Sequence, residues 1–376
     1  PVRSLSNRDE QLWVGTTHDL RLYRSHNGHF AFVRDFPKPE YDHGSIHYVS
    51  NSVLALLQDD DGLWVGTEDA GLIHYPGRQN AKNLSGAFRF YNTLTEQALP
   101  GNKVGMLVRS EFYPGVIWAG TLQNGFVRID RHNGSVAIRS YTAGNAPDQL
   151  SDNSVRALVE DREGKVWIGT QNGLNCFNPV TEKFTRYYYE PGDTNTINDN
   201  VINVLHEDAE GNLWIGSNAG LNKKRTMAAE SDSLEVCFSG FPGVENIADE
   251  IITNILEDDS GNLWVGVYRG IVSLSKSGHS LVKEYFSREY QQIIVERNTA
   301  IRGEEGLFLF GGSGGFISFH PDSLLRDVVP PEVCITDLLV SNNSLYAGMP
   351  EIKKQPVFKS VPYLEDLRLS HRAKVL

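Results

Sequence analysis

All six tryptophans of the chain sit in one local frame. They fall in "QLWVGT" (Trp13), "GLWVGT" (Trp64), "VIWAGT" (Trp118), "KVWIGT" (Trp167), "NLWIGS" (Trp214) and "NLWVGV" (Trp264), 47 to 54 residues apart. A seventh, degenerate copy, "GLFLFGGSGGF", puts Leu309 in the tryptophan slot 45 residues after Trp264. A period near fifty residues restricts the chain to a propeller, a solenoid or an array. The contents of one unit choose among them. In "NSVRALVEDREGKVWIGTQNGLNCFNPVTEKFTRYYYE" an alternating strand from Val155 to Val159 leads to the turn "EDREG". A second strand carries the tryptophan, the turn "TQNG" precedes a third from Leu174, and "KFTRYYY" forms a fourth. Four short antiparallel strands with Gly, Asn and Asp turns make a propeller blade. No segment holds a 3.6-residue apolar period, which excludes helical repeats. The expected fold is all-β, a seven-bladed propeller of four-stranded antiparallel blades over residues 1–325.

The acidic stretch "EDDSG" at 257–261 recurs as "QDDDG", "EDREG" and "EDAEG", always between the first and second strands. Asp bonds its own backbone in such turns, and Gly accepts a positive φ. Calcium binding of the EF-hand kind needs oxygens at loop positions 1, 3 and 5 and a distant bidentate Glu, a spacing these turns lack. They are read as hairpin tips, with no metal and no cofactor expected. Six tryptophans in one register are read as rings buried between blades. The glycine two residues after each lets the backbone turn or a neighbouring ring come close.

A formal net charge of −12 opposes phosphate backbones, so nucleic-acid contact by this chain is not expected. No apolar run approaches the roughly 18 residues of a membrane helix, and "PVRSLS" is not a leader peptide. Cys176, Cys237 and Cys334 are odd in number and lack CxxC spacing, which supports neither zinc nor a disulfide framework. They are read as small buried residues.

The units "NSVRALVEDREGKVWIGTQNGL" and "NVINVLHEDAEGNLWIGSNAGL" resemble the two-component regulator propeller repeat. The resemblance covers residues 1 to about 325. That repeat builds the periplasmic sensor region of hybrid two-component systems. "FGGSGGFISFHPDSL" followed by "PPEVCITDLLVSNNSL" is similar to the family's junction between its last blade and a β-sandwich named for its tyrosines. The resemblance therefore implies that residues 326–376 begin an immunoglobulin-like β-sandwich, with the seam at Pro330-Pro331. It implies a periplasmic portion of an inner-membrane protein, attached to the membrane only through a downstream helix. Further implications are an oligosaccharide ligand, control of polysaccharide-utilisation genes, and a homodimer of the full-length receptor. Histidine kinase activity would lie outside this chain. The family typically carries two successive propellers, and one is present here. The first unit starts at its first strand and the seventh shows no fourth strand after "FISFHP". The closing strand of the seventh blade is accordingly expected upstream of Pro1.

Three function classes remain open: a ligand sensor, a docking or structural propeller, and a propeller enzyme. Sialidases need an arginine cluster at a repeated inward position, and the arginines here are scattered. Streptogramin lyases share a similar blade but need a catalytic histidine and metal ligands. His18, His43, His47 and His206 are read as plain loop or strand histidines, because His43 and His47 four apart share a chelating face only on a helix. Quinone-cofactor dehydrogenases have a similar tryptophan motif but usually eight blades. No catalytic residue is assigned.

Blade geometry places the loop after the second strand on one face with the loop leading into the next blade, and the acidic turns on the other. Most of the former loops are small residues and Asn. "VYRG" differs: Tyr268 offers a ring for stacking on a sugar, and Arg269 a fork for carboxylate or sulfate. Glu68, Gln123, Asn172 and Asn218 are further candidates from that loop. His47 and Tyr48, in "HGSIHYVSNS", are placed on the same face. A rival site is the propeller–sandwich boundary.

Overall fold

The computed structural model describes residues 1–325 except 27–28, 37–39, 44–45, 50–51, 78–87, 133, 229–233, 241–249, 269, 276–282 and 286–293. It describes of the remainder only one strand pair, Leu339–Val340 with Asn343–Ser344. The chain divides into two compact units, Pro1–Ser323 and Leu324–Leu376. Apart from that strand pair, the expected sandwich start at 326–376 lies outside the described residues.

Unit 1 is the seven-bladed propeller. Six blades are four-stranded meanders, such as blade 4 with Val155–Glu160, Val166–Thr170, Leu174–Asn178 and Lys183–Tyr187. Blade 7 has three described strands, Val295–Arg302, Phe308–Gly312 and Gly315–Phe319, before the short helix Pro321–Leu325. First strands pack against one another around the ring, and that of blade 1 (Val2–Arg8) meets that of blade 7. Among the described residues the two blades share no sheet at this joint. Between blades 1 and 2, the segment read as a loop holding His47 and Tyr48 contains a two-stranded hairpin, Glu40–His43 with Ile46–Val49. His47 lies opposite Asp42 and Tyr48 opposite Tyr41.

The core lies between blades rather than inside them. Trp64 of blade 2 packs with Val104, Leu107, Ile117 and Ile129 of blade 3. Trp118 likewise packs with Val155, Ile168 and Phe177 of blade 4, and Trp167 with Ile202, Ile215 and Phe238 of blade 5. At the closing joint Leu309, in the tryptophan slot, packs with Val2, Leu5, Leu12 and Val14. The glycine of the tryptophan strand admits an aliphatic side chain of the next blade rather than a ring. A Cβ on Gly169 would sit 2.5 Å from Ile202 Cγ2, and one on Gly120 2.5 Å from Val155 Cγ1. Gly311 makes the same accommodation for Val2, at 2.7 Å, so the closing joint uses the lock found between other blades.

The acidic turns have a double role. Asp161 accepts from the backbone N–H of Glu163 (3.0 Å) and Lys165 (2.9 Å) through Oδ1, and from the Trp167 indole through Oδ2 (2.7 Å). Asp208 and Asp258 repeat this with Trp214 (2.8 Å) and Trp264 (3.0 Å). The preceding glutamate reaches back one blade. Glu257 accepts from Ala209 N (2.6 Å), and Glu160 accepts from Glu111 N (2.7 Å) and the Trp118 indole (2.9 Å). "Glu-Asp" thus ties the preceding blade's turn and its own, and these carboxylate oxygens are engaged in structural hydrogen bonds.

Candidate functional site

The first strands of blades 1 to 6 each open with a bulge. Register shifts between Val2 and Ser4, Val53 and Ala55, Val104 and Met106, Val155 and Ala157, Ile202 and Val204, and Ile252 and Asn254. The extra residues are Arg3, Leu54, Gly105, Arg156, Asn203 and Thr253. A bulge re-aims its side chain, and here bulge residues bond across blade boundaries. Arg156 Nη1 donates to Asn203 Oδ1 at 3.4 Å, and Arg3 pairs with Glu296 of blade 7 at 3.1 Å.

Blade 7 carries a larger bulge. Val295 pairs with Gly312 and Ala300 with Phe310, so residues 296–299 stand opposite Gly311 alone. Buried Asn254 clamps both ends, donating to Glu296 O (2.8 Å) and accepting from Thr299 N (2.8 Å) and Ala300 N (2.9 Å). At its tip Asn298 takes a left-handed backbone, φ 54°, which Asn tolerates better than most residues. Its side-chain amide donates to Arg156 O (2.8 Å) and Asn203 O (3.0 Å), in blades 4 and 5. Blades 4 and 7 lie nearly opposite in a ring of seven, so this segment bridges the axial channel.

The loops after the second strands surround this mouth. Glu68 N bonds Ser52 O (3.1 Å), Leu122 N bonds Lys103 O (3.0 Å) and Gln171 N bonds Ser154 O (3.0 Å). Each ties the loop to the residue leading into the same blade's first strand. The equivalent inward position is therefore Glu68, Leu122, Gln171, Asn218 and Tyr268. Gln123 and Asn172 lie one residue further round the turn, where both are exposed. Of the predicted residues, the structure brings Asn218 into the axial network, accepting from Asn203 Nδ2 at 2.9 Å. Glu68 pairs with Lys103 at 3.0 Å, and the Lys103 hydrogen bond, aided by the charge of Arg3, holds its carboxyl below the usual range. Tyr268 is exposed at 43% on this face, while Arg269 lies outside the described residues, as do the side chains of His47 and Tyr48.

Sequence reasoning missed Arg156, Asn203, Arg297 and Asn298, because a bulge leaves no mark in an alternating pattern, and it named Asn172 rather than Gln171 from their shared loop. It also read Tyr188 and Tyr189 as strand. Blade 4's fourth strand ends at Tyr187, and both are partly exposed beside the mouth, at 36% and 42%. The Tyr188 ring lies near Gly173 of the adjoining loop, and Tyr189 N bonds Asn200 Oδ1 at 2.8 Å.

On the opposite face a depression of about 270 Å³ between blades 2 and 3 is lined by Asp59, Asp60, Asp61, Arg109 and Arg131. Its charges are satisfied internally: Arg131 pairs with Asp59 (2.6 Å) and Asp61 (2.8 Å), and Arg8 with Asp60 (2.5 Å). Among the described residues no three His, Cys, Asp or Glu side chains gather as a metal site. Partial burial pushes the pKa of His206 down, and its ring lies 3.9 Å from Glu257. Burial also pushes the Cys176 thiol up to about 11.

Residues 47–69, 149–172, 196–219 and 246–269 match the two component regulator propeller family. Each segment runs through a first strand, its acidic turn and a tryptophan strand to the mouth loop. "Histidine kinase P4" of Formosa agariphila is 25% identical over 314 residues, 80% of this chain. The chain spans 21% of that protein's length. Among solved structures, the extracellular domain of a hybrid two component system from B. thetaiotaomicron superposes with a TM-score of 0.66 at 24% identity. The superposition covers 94% of this chain and 42% of that one. Virginiamycin B lyase from Staphylococcus aureus superposes with a TM-score of 0.56 at 12% identity, over 84% of this chain and 93% of that one.

Proposed function

We propose that this chain, a propeller built on two-component regulator repeats, is part of the extracytoplasmic sensor of a hybrid two-component histidine kinase, and that its mouth reads an oligosaccharide. The observation that carries this reading is the repeat itself, matched in four blades. The Formosa relative, named a histidine kinase, and the B. thetaiotaomicron extracellular domain support it. The mouth adds chemical support. Exposed Tyr188, Tyr189 and Tyr268 offer ring faces for sugars, and a polar floor of Gln171, Asn203 and Asn218 offers amides for hydroxyls. In this reading the chain is not an enzyme. It belongs to the periplasmic portion of an inner-membrane receptor that works as a homodimer and controls polysaccharide-utilisation genes.

The test is a thermal-shift screen against neutral and acidic oligosaccharides. A ligand bound only by the folded state stabilises it by mass action, about 2.7 kcal/mol at a hundredfold excess over Kd. The expected result is a dose-dependent rise with one glycan class, reduced in Tyr268→Ala. Absence of any shift, or sustained turnover of a glycan or streptogramin abolished by one substitution, would overturn the reading.

A further inference from the structure

We propose that Arg156 and Arg297 form an oxyanion-binding site at the axial mouth, taking the carboxylate or sulfate group of an acidic ligand. The charges around the mouth are unevenly distributed. On the side of blades 7, 1, 2 and 3 they alternate and cancel: Glu296 with Arg3 (3.1 Å), Glu68 with Lys103 (3.0 Å). On the side of blades 4 and 5 they do not. Arg156 is held by neutral acceptors, Asn203 Oδ1 and Gln171 Oε1, and its Nε is buried without a partner. Its nearest carboxylate influence is Asp152, whose Oδ1 already accepts from Ser154 N at 2.7 Å.

Arg297 joins it from across the ring. It stands on the clamped bulge of blade 7, directly before Asn298, whose side chain bonds the Arg156 carbonyl at 2.8 Å. Arg297 is exposed and forms no ion pair among the described residues. Burial, then the charge of Arg297, push the Arg156 guanidinium below its ordinary pKa. Two like charges thus act on each other across the Asn298 bridge, in a chain of net charge −12. The bulge that carries Arg297 is fixed by Asn254 and Thr299, each 1% exposed, and its Asn298 bonds the Arg156 carbonyl at 2.8 Å, so the two backbones are held in place relative to each other. An oxyanion bridging the two guanidinium groups removes the repulsion and supplies the charged acceptor that neither has among the described residues. The exposed Tyr188 and Tyr189 beside blade 4 would flank the body of such a ligand.

The site's meaning as a ligand determinant rests on the sensor reading, but its existence does not, and the experiment separates the two. Melting midpoints of the protein, Arg297→Gln and Arg156→Gln are measured against sodium sulfate, with ionic strength held constant by chloride. The expected result is a saturable sulfate stabilisation whose apparent affinity falls about tenfold or more in both variants. Arg297→Gln lies on an exposed tip and keeps the test valid if Arg156→Gln folds poorly. An identical sulfate response in all three proteins is general salting and overturns the proposal. Trigalacturonate and sulfated maltotriose, each compared with maltotriose, then tell carboxylate from sulfate as the natural group. A sulfate effect without any glycan effect retains the oxyanion site and removes the oligosaccharide reading.

Discussion

Replacing Gly169 by alanine tests the account of how blades lock. The added Cβ would lie 2.5 Å from Ile202 Cγ2, 2.9 Å from Ile202 Cβ and 3.1 Å from Ala157 Cβ. Ordinary carbon contacts lie near 3.5–4.0 Å, so about 1 Å of overlap must be relieved. Blade 4's second strand pairs on both sides, and Ile202 is fully buried, so neither partner yields freely. Overpacking of this kind costs about 1–3 kcal/mol. Ile202→Ala alone leaves a cavity and costs about 2–5 kcal/mol. In the double variant the alanine Cβ occupies part of the vacated volume, and the costs cancel in part. The assay is urea unfolding followed by tryptophan fluorescence, in a four-protein cycle. The double variant should be more stable than the sum of singles predicts, by at least about 1 kcal/mol. Additivity within about 0.5 kcal/mol would refute the lock, since the two side chains would then not share space.

Asp208→Ala should cost about 2–4 kcal/mol, because Trp214 Nε1, Glu210 N and Asn212 N lose one acceptor. The acid limb of the unfolding curve checks the charge. Burial opposes ionisation of Asp208, but the Trp214 and Asn212 hydrogen bonds outweigh it and hold its pKa below the usual carboxylate value. A depressed folded pKa gives stability that is present above the unfolded pKa near 3.8 and lost as pH falls through the lower folded value. Asp208→Asn should therefore flatten the pH dependence below about pH 4, and an unchanged acid limb would count against the clamp. Asn254→Ala should release the bulge at 296–299, read as faster hydrogen exchange at Thr299 and Ala300, and unaltered exchange would refute its role. Cys176, half-buried with its thiol pushed up to about 11, should resist alkylation at pH 8 until the protein unfolds, whereas rapid labelling in the folded state would contradict the raised thiol.

Much of the fold was legible because the propeller repeats its constraints. Six tryptophans at one spacing, each with Gly two residues behind and four with an acidic turn ending in Gly ahead, admit few architectures. The turns' second role was also present in the sequence. Asp161 and Trp167, Asp208 and Trp214, and Asp258 and Trp264 share a six-residue interval, and a glutamate precedes each Asp. That interval marks a carboxylate reaching an indole. Trp13 and Trp64 lack it, and their indole nitrogens are buried without a partner among the described residues. The mouth was harder to read. Its axial residues Arg156 and Asn203 depend on bulges, which shift register by one without changing composition. Arg297 and Asn298 depend on a four-residue excursion in a strand whose apolar pattern is already weak. Long-range partners such as Asn298 and Arg156, 142 residues apart, leave no local signature at all.

A ring of seven wedges has one soft way to deform: it flattens into an ellipse, its diameters lengthening and shortening in turn. The Asn298 crossing acts as a strut along one diameter, fixed to blade 7 at its root and to the backbones of blades 4 and 5 at its tip. Flattening along that chord strains those hydrogen bonds, while the arc of blades 1 to 3 has no such brace among the described residues. Load applied at the strut reaches both sides of the ring at once. The unbraced arc is where the resulting change of shape would be taken up.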